Sequence, residues 1–147
     1  MTPSEAIDAS IPEGFARHPR RSPLTEPWEP IYAKITPDAF ILGIRLATPH
    51  TNSRGLVHGG LIAALADNAM GLSAVRQARR TPGGEKASAV TVSLALDFID
   101  ATQVGDCLEV HPMLLKLGRT LAFMECRVVC GERLVARASA TFRMVSD

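Results

Sequence analysis

Residues 52–74 read NSRGLVHGGLIAALADNAMGLSA. The run opens on a polar turn, passes through His58-Gly59-Gly60, and from there to Ala74 carries a single acidic or basic side chain, Asp67. A helix that is apolar on every side is normally buried. The stretch therefore predicts one long core helix, with the rest of the chain wrapped around it as sheet.

Working outward toward the N-terminus, six of the ten prolines (Pro3, Pro12, Pro19, Pro23, Pro27 and Pro30) exclude a long helix or a central strand from that end of the chain. Residues 1–29 read as a proline-rich arm and residues 30–147 as one folded domain. Ser10 and Glu13 have capping-box spacing and Pro12 suits a first turn, so a short helix is predicted within the arm, with Phe15 docking it. Trp28, the only tryptophan, is expected to anchor the arm to the body. From Pro30 the pattern changes to period two. Phe40, Leu42, Ile44 and Leu46 share one face with Arg45 opposite, which predicts two strands joined near Pro37-Asp38.

Beyond the helix, Pro82-Gly83-Gly84 marks a loop. Val90, Val92, Leu94, Leu96 and Phe98 then alternate with Thr91, Ser93, Ala95 and Asp97, the pattern of a half-buried strand. Further strands are expected from Asp106 to Lys116 and from Arg119 to Cys130, turning at Gly118 and again at Gly131-Glu132. A last strand points Leu134, Ala136, Ala138, Ala140 and Phe142 inward. The order of arm, two strands, one helix and four strands predicts an α+β domain, a long central helix wrapped by an antiparallel sheet of about six strands.

Composition agrees with one domain: the chain has 147 residues, 46% of them hydrophobic, enough for a sizeable core. Sixteen Lys and Arg against fifteen Asp and Glu leave a net charge of +1, which argues against nucleic acid or an anionic membrane as the main partner. Cys107, Cys126 and Cys130 lack the paired spacing of a zinc or redox motif and read as buried thiols of a reducing compartment. No metal site is expected. The N-terminal residues lack the basic start and apolar run of a signal peptide, and no apolar stretch reaches the length of a membrane span. A cytoplasmic location is the expectation.

The chemistry sits on the central stretch. The amides of Gly59 and Gly60 should lie among the unpaired donors of the first helical turn, able to hold an anion or a developing oxyanion. A flexible loop-to-helix junction is the plainer reading of the same glycines. Asp67 among apolar neighbours reads either as a general base or nucleophile with a pKa raised by burial, or as a structural aspartate bonded to backbone. Asp67 lies eight residues past Gly59, about 12 Å along a helix, so one reacting carbonyl cannot readily touch both. If the two act together, Asp67 of one chain must meet Gly59 of another, as in a two-fold dimer with antiparallel helices.

The run N-S-R-G-L-V-H-G-G-L-I-A-A-L-A-D-N-A-M-G, with strands around it and the arm EGFARHPRRSPLTEPWEPIYAK, resembles the hotdog-fold thioesterases of the phenylacetate-degradation type, in the 4-hydroxybenzoyl-CoA thioesterase superfamily. The resemblance covers nearly the whole chain. It implies a hotdog fold, a dimer or dimer of dimers, and hydrolysis of acyl-CoA thioesters with no cofactor, CoA being part of the substrate. By that resemblance Gly59 is the oxyanion donor, and His58 and Asn52 flank and orient the carbonyl or pocket. Asp67 is the catalytic carboxylate, as base or as nucleophile. Thr91 falls where related enzymes position the attacking water. Strict alternation turns Thr91 away from the apolar side, so reaching the pocket requires a β-bulge or a face toward a partner. A surface threonine is the alternative. His58 equally fits a structural residue bonded to backbone. Gly60, Arg79, Arg80, Lys86, Lys116 and Arg119 are candidates for holding CoA, the basic ones through its phosphates, or are solvated surface.

Two rivals accompany the thioesterase. A hotdog hydratase or dehydratase would move protons with His58 and Asp67. A non-catalytic acyl-CoA-binding module would keep the fold without turnover.

Overall fold

In the computed structural model, which describes residues 12–146, the central stretch forms α1, Gly59–Arg79. The helix stops where the chain doubles back, and Gly84 is required there, because a Cβ on it would lie 2.0 Å from the Ala78 carbonyl oxygen. The strands are Ala16–Arg17 (β1), Tyr32–Ile35 (β2), Phe40–Arg45 (β3), Ala87–Phe98 (β4), Cys107–Leu117 (β5), Leu121–Cys130 (β6) and Arg133–Ser146 (β7). They form one antiparallel sheet in the order β1-β2-β3-β5-β6-β7-β4. This is the wrapped-helix arrangement expected, with seven strands rather than about six. The extra one, β1, comes from the arm, where a two-residue pairing with β2 leaves no periodic signature.

Leu61, Leu65, Ala66, Ala69, Met70 and Ala74 of α1 pack into a core with Leu42, Ile44, Leu108, Val110, Met124 and Phe142. Each large side chain buried there contributes about 1.5–3 kcal/mol. Ser73 is the one buried polar side chain of the helix, and its hydroxyl donates to the Ala69 carbonyl at 2.6 Å while accepting from the Phe40 N–H at 2.9 Å. The other side of the helix is not buried as its composition predicts. Ala63, Ala64, Asp67, Asn68 and Gly71 are only half-buried, because the sheet covers one side of α1 in a single chain.

β4 corrects the alternation. Thr91 faces Phe142 of β7 and Ser93 faces Thr141, leaving Val92 as an extra residue in a bulge. Directly opposed residues in an antiparallel pair share a face. Thr91 therefore lies on the helix side with Phe142, as do Leu94, Leu96 and Phe98 beyond the bulge, opposite Ala140, Ala138 and Ala136. Val90, opposite the exposed Arg143, points to the outer face. The strand is also less buried than expected: Val90 is 57% exposed, Val92 60% and Phe98 57%. β4 is an edge strand, bonded only to β7. A bulge in the β6–β7 pairing has a smaller effect of the same kind. Val135 is fully buried and Leu134 half-buried, where alternation predicted Leu134 inward.

In the arm, Ser10 lies outside the described residues. The rest of the predicted short helix is a turn, closed by the Phe15 N–H on the Pro12 carbonyl, since Gly14 adopts φ +90°, which no helix accommodates. A short 3-10 turn covers Glu26–Trp28 instead. Trp28 does anchor the arm, packing on the core while its carbonyl accepts from His50 Nε2 at 2.9 Å. Of the three cysteines only Cys126 is fully buried. Cys107 and Cys130 are half-buried near the end of the sheet.

Candidate functional site

The bulge at Val92 places the Thr91 hydroxyl against the helix, where Oγ1 donates to Asp67 Oδ1 at 2.7 Å. This bond joins the strand to the half-buried side of α1. It holds the Asp67 carboxylate through one oxygen, and Asp67 also borders a shallow pocket with Ala63, Ala64 and Leu94. Asp67 is thus not the enclosed carboxylate expected, but one held at a surface by a strand hydroxyl.

At the start of α1 the four first-turn donors can be accounted for one by one. The Leu61 and Ile62 amides donate to the His58 carbonyl at 3.0 and 3.5 Å, and the Gly60 amide donates to His58 Nδ1 at 2.8 Å. Gly59 N–H is the donor left without an acceptor among the described residues, at the positive end of the helix dipole. His58 is an N-cap. Because its Nδ1 accepts, the neutral ring carries its proton on Nε2. Each glycine has a steric reason. A Cβ on Gly60 would sit 2.9 Å from His58 Nδ1, and one on Gly59 would sit 3.1 Å from Cζ of Phe98. Phe98, whose ring covers the Gly59 end of the helix, was not legible as a site residue, since its position in the alternating run reads as core.

The loop before the helix is held from several sides. Asn52 Oδ1 accepts from the Arg54 and Leu56 amides at 2.9 and 3.2 Å, so this side chain builds the loop. Bridges of Thr51 to Val57 and of Leu56 to Gln103 pin it. Buried His50 takes the Ala47 N–H on Nδ1 and donates to Trp28, while its carbonyl accepts the His58 N–H at 2.9 Å. His50 carries no sequence signal beyond its type, and positions the cap.

Asp67 and Thr91 also border a cavity of about 400 Å³ between α1, β4 and the arm. The arm is fastened there by buried His18. Its Nδ1 accepts the Arg20 N–H at 3.1 Å, so the neutral ring carries its proton on Nε2, which donates to Asn68 Oδ1 at 3.1 Å. Arg20, Arg21 and Arg79 line this cavity. The arm residues were missed as site residues because their link to Asn68 spans 50 positions of chain.

The other basic candidates are dispersed. Arg80 is engaged by the Pro37 carbonyl and Asp38, both at 2.8 Å, in clamping the β2–β3 turn. Arg79 Nε donates to the Ala87 carbonyl at 3.0 Å. Lys86 and Lys116 are exposed. Arg119 borders a groove of about 370 Å³ with Pro82, Gly83 and Gly84. Asp67 and Thr91 are brought together, as are His58, Gly59 and Gly60. The two groups lie eight residues apart on one helix.

Comparison with known proteins gives one answer. The thioesterase superfamily profile matches residues 54–137. A Pseudomonas aeruginosa protein provisionally named an esterase is 39% identical over 92% of this chain and 98% of its own. Human acyl-coenzyme A thioesterase 13 is 31% identical over 65% of this chain and 68% of its own. Among solved structures, a mutant of a phenylacetic acid degradation protein from Thermus thermophilus superposes with a TM-score of 0.70 at 25% identity, covering 83% of this chain and 98% of that one.

Proposed function

The chain belongs to the thioesterase superfamily and has the hotdog fold, and we propose that it hydrolyses acyl-CoA thioesters at a site shared between two copies of itself. The observation that carries this reading is the Asp67 carboxylate gripped by Thr91 on a helix whose first-turn amide, Gly59, has no acceptor among the described residues. The thioester carbonyl oxygen accepts from Gly59 N–H, which stabilises the charge that develops on it. Asp67 supplies the other half, taking a proton from an attacking water, or attacking the carbonyl carbon itself to give an anhydride that water then hydrolyses to regenerate the carboxylate. In the water route Thr91, already donating to Asp67, orients the carboxylate. CoA leaves as the thiol, with basic residues such as Arg119 and Lys116 available to its phosphates.

Sharing between copies follows from distance, since Gly59 and Asp67 of one helix are about 12 Å apart. The open edge of β4 and the small half-buried residues of α1 support a two-fold pairing. A long unpaired edge is otherwise a liability that a partner strand removes. Antiparallel helices across such an axis bring Gly59 of one chain to Asp67 of the other. Human acyl-coenzyme A thioesterase 13 shares sequence over this region, which supports the same substrate class here. The hydratase rival needs His58 to move protons. Its Nδ1 is engaged by the Gly60 amide, which disfavours that role.

Thiol release from a panel of acyl-CoAs tests the reaction: wild type should turn over and Asp67→Asn should be slower by about 10² or more. Hydration of enoyl-CoA without thiol release would overturn the reading. Mixing Asp67→Asn with an inactive Gly59→Val chain should restore activity in mixed dimers, and no recovery in proven heterodimers would refute the shared site.

A further inference from the structure

Three arginines line the cavity that Asp67 borders. Arg20 and Arg21 come from the arm and Arg79 from the end of α1, while Asp67 is the only acidic side chain among the lining residues. Asp67 is already engaged at the reacting end by Thr91. Arg79 is held in place by Nε on the Ala87 carbonyl. The Arg21 guanidinium is 3.9 Å from Glu26, in an exposed pair of little strength. Arg20 makes no ion pair among the described residues, and its backbone is fixed by the His18 ring that ties the arm to Asn68. Ile31, Leu65 and Leu72 are among the apolar residues that line the same cavity.

An acyl group entering this space displaces water from the guanidinium groups. An alkyl chain returns no hydrogen bond for those lost, whereas a carboxylate at its far end does so with charge assistance and bidentate geometry. Resting on the thioesterase reading above, we propose that the cavity is the acyl site and that it selects acyl groups with a distal carboxylate, the monothioesters of dicarboxylic acids, with Arg20 as the specificity-determining residue. The arm is then part of the substrate site.

The test is the ratio of kcat/KM for adipyl-CoA over hexanoyl-CoA, equal in carbon number and different in the terminal group. Both substrates are assayed on one preparation, so the ratio does not depend on how much of a variant folds. Wild type should favour adipyl-CoA by about tenfold or more, and Arg20→Met should bring the ratio to within about twofold of one, with Arg20→Lys intermediate because a point charge replaces the bidentate fork. A wild-type ratio near one, or an unchanged ratio in Arg20→Met, overturns the inference while leaving thioester hydrolysis standing. A third measurement identifies the other source of anionic groups. If Arg20→Met instead narrows the advantage of hexanoyl-CoA over hexanoyl-pantetheine, the guanidinium groups hold the nucleotide phosphates, and the acyl assignment falls. No hydrolysis of any of these thioesters by wild type overturns the thioesterase reading and this inference with it.

Discussion

The Thr91 hydroxyl donates to Asp67 Oδ1 across 2.7 Å, joining an edge strand to the middle of the central helix. A hydrogen bond to a charged group contributes about 1.5–3 kcal/mol. Thr91→Val keeps the branched shape and removes the donor, and should lower kcat about tenfold to a hundredfold. Thr91→Ser should retain most of the rate. Asp67→Asn should cost about 10² to 10⁴ in kcat. Steady-state kinetics with one acyl-CoA decide among these, and a Thr91→Val enzyme with undiminished kcat would remove Thr91 from the site.

Gly59 and Phe98 form a steric pair. Gly59→Ala places a methyl 3.1 Å from the Phe98 ring, and because that ring is 57% exposed the cost should fall at or below the low end of the roughly 1–3 kcal/mol of core overpacking. Phe98→Ala should recover most of that loss in the double variant. The coupling is read from denaturation midpoints of the four proteins in a double-mutant cycle. Additive losses would show that the ring yields without cost.

His18→Leu removes the side-chain bond from the arm to Asn68 and the ring acceptor of the Arg20 amide, leaving both without that partner. The expected loss is about 1–3 kcal/mol, with faster proteolytic cleavage in the segment before β2. Mass spectrometry of limited digests checks where cleavage falls. Unchanged cleavage there would show that β1 pairing and the Trp28 contacts hold the arm without it.

Burial pushes the Cys126 thiol up to about 12, only partly offset by a hydrogen bond with the Ala138 backbone. Cys107 and Cys130 shift the same way, again mainly through burial. A raised value in the fold means that the folded chain holds its thiol proton more tightly. The contribution is complete below the unfolded value of 9.0 and is lost as pH rises from there toward about 12. Through that window Cys126 alone lowers stability by about 1.4 kcal/mol per pH unit. Urea midpoints at pH 8 and pH 10 should fall less in Cys126→Ala than in wild type.

Much of this architecture is visible in the sequence because it is periodic. The apolar run after His58 marks α1, and the alternation of Phe40, Leu42, Ile44 and Leu46 marks β3 with its buried face. Asp67 stands out as the single acid in an apolar helix. What periodicity hides is any break in itself. Val90 to Phe98 reads as one face because Val92 is apolar too, so nothing in composition marks it as the inserted residue. The exposure of β4 is hidden for a different reason, since an edge strand and a central strand carry the same pattern. His18 with Asn68 and Phe98 with Gly59 are tertiary pairs between segments far apart in the chain, and neither residue of a pair announces the other.

The bulge at Val92 has a consequence for how this strand tolerates change. On either side of it the helix-facing positions follow opposite parity, so the placement of Thr91 depends on the number of residues in β4 more than on their identity. Substitutions along the strand alter one contact at a time. Deleting one residue at the bulge removes the phase shift, so that one of the two segments must turn over: either Thr91 leaves Asp67 or Phe98 leaves Gly59. Length in this segment sets which side chains face the helix, and a single codon lost there would re-aim a whole run of them where a replacement changes one.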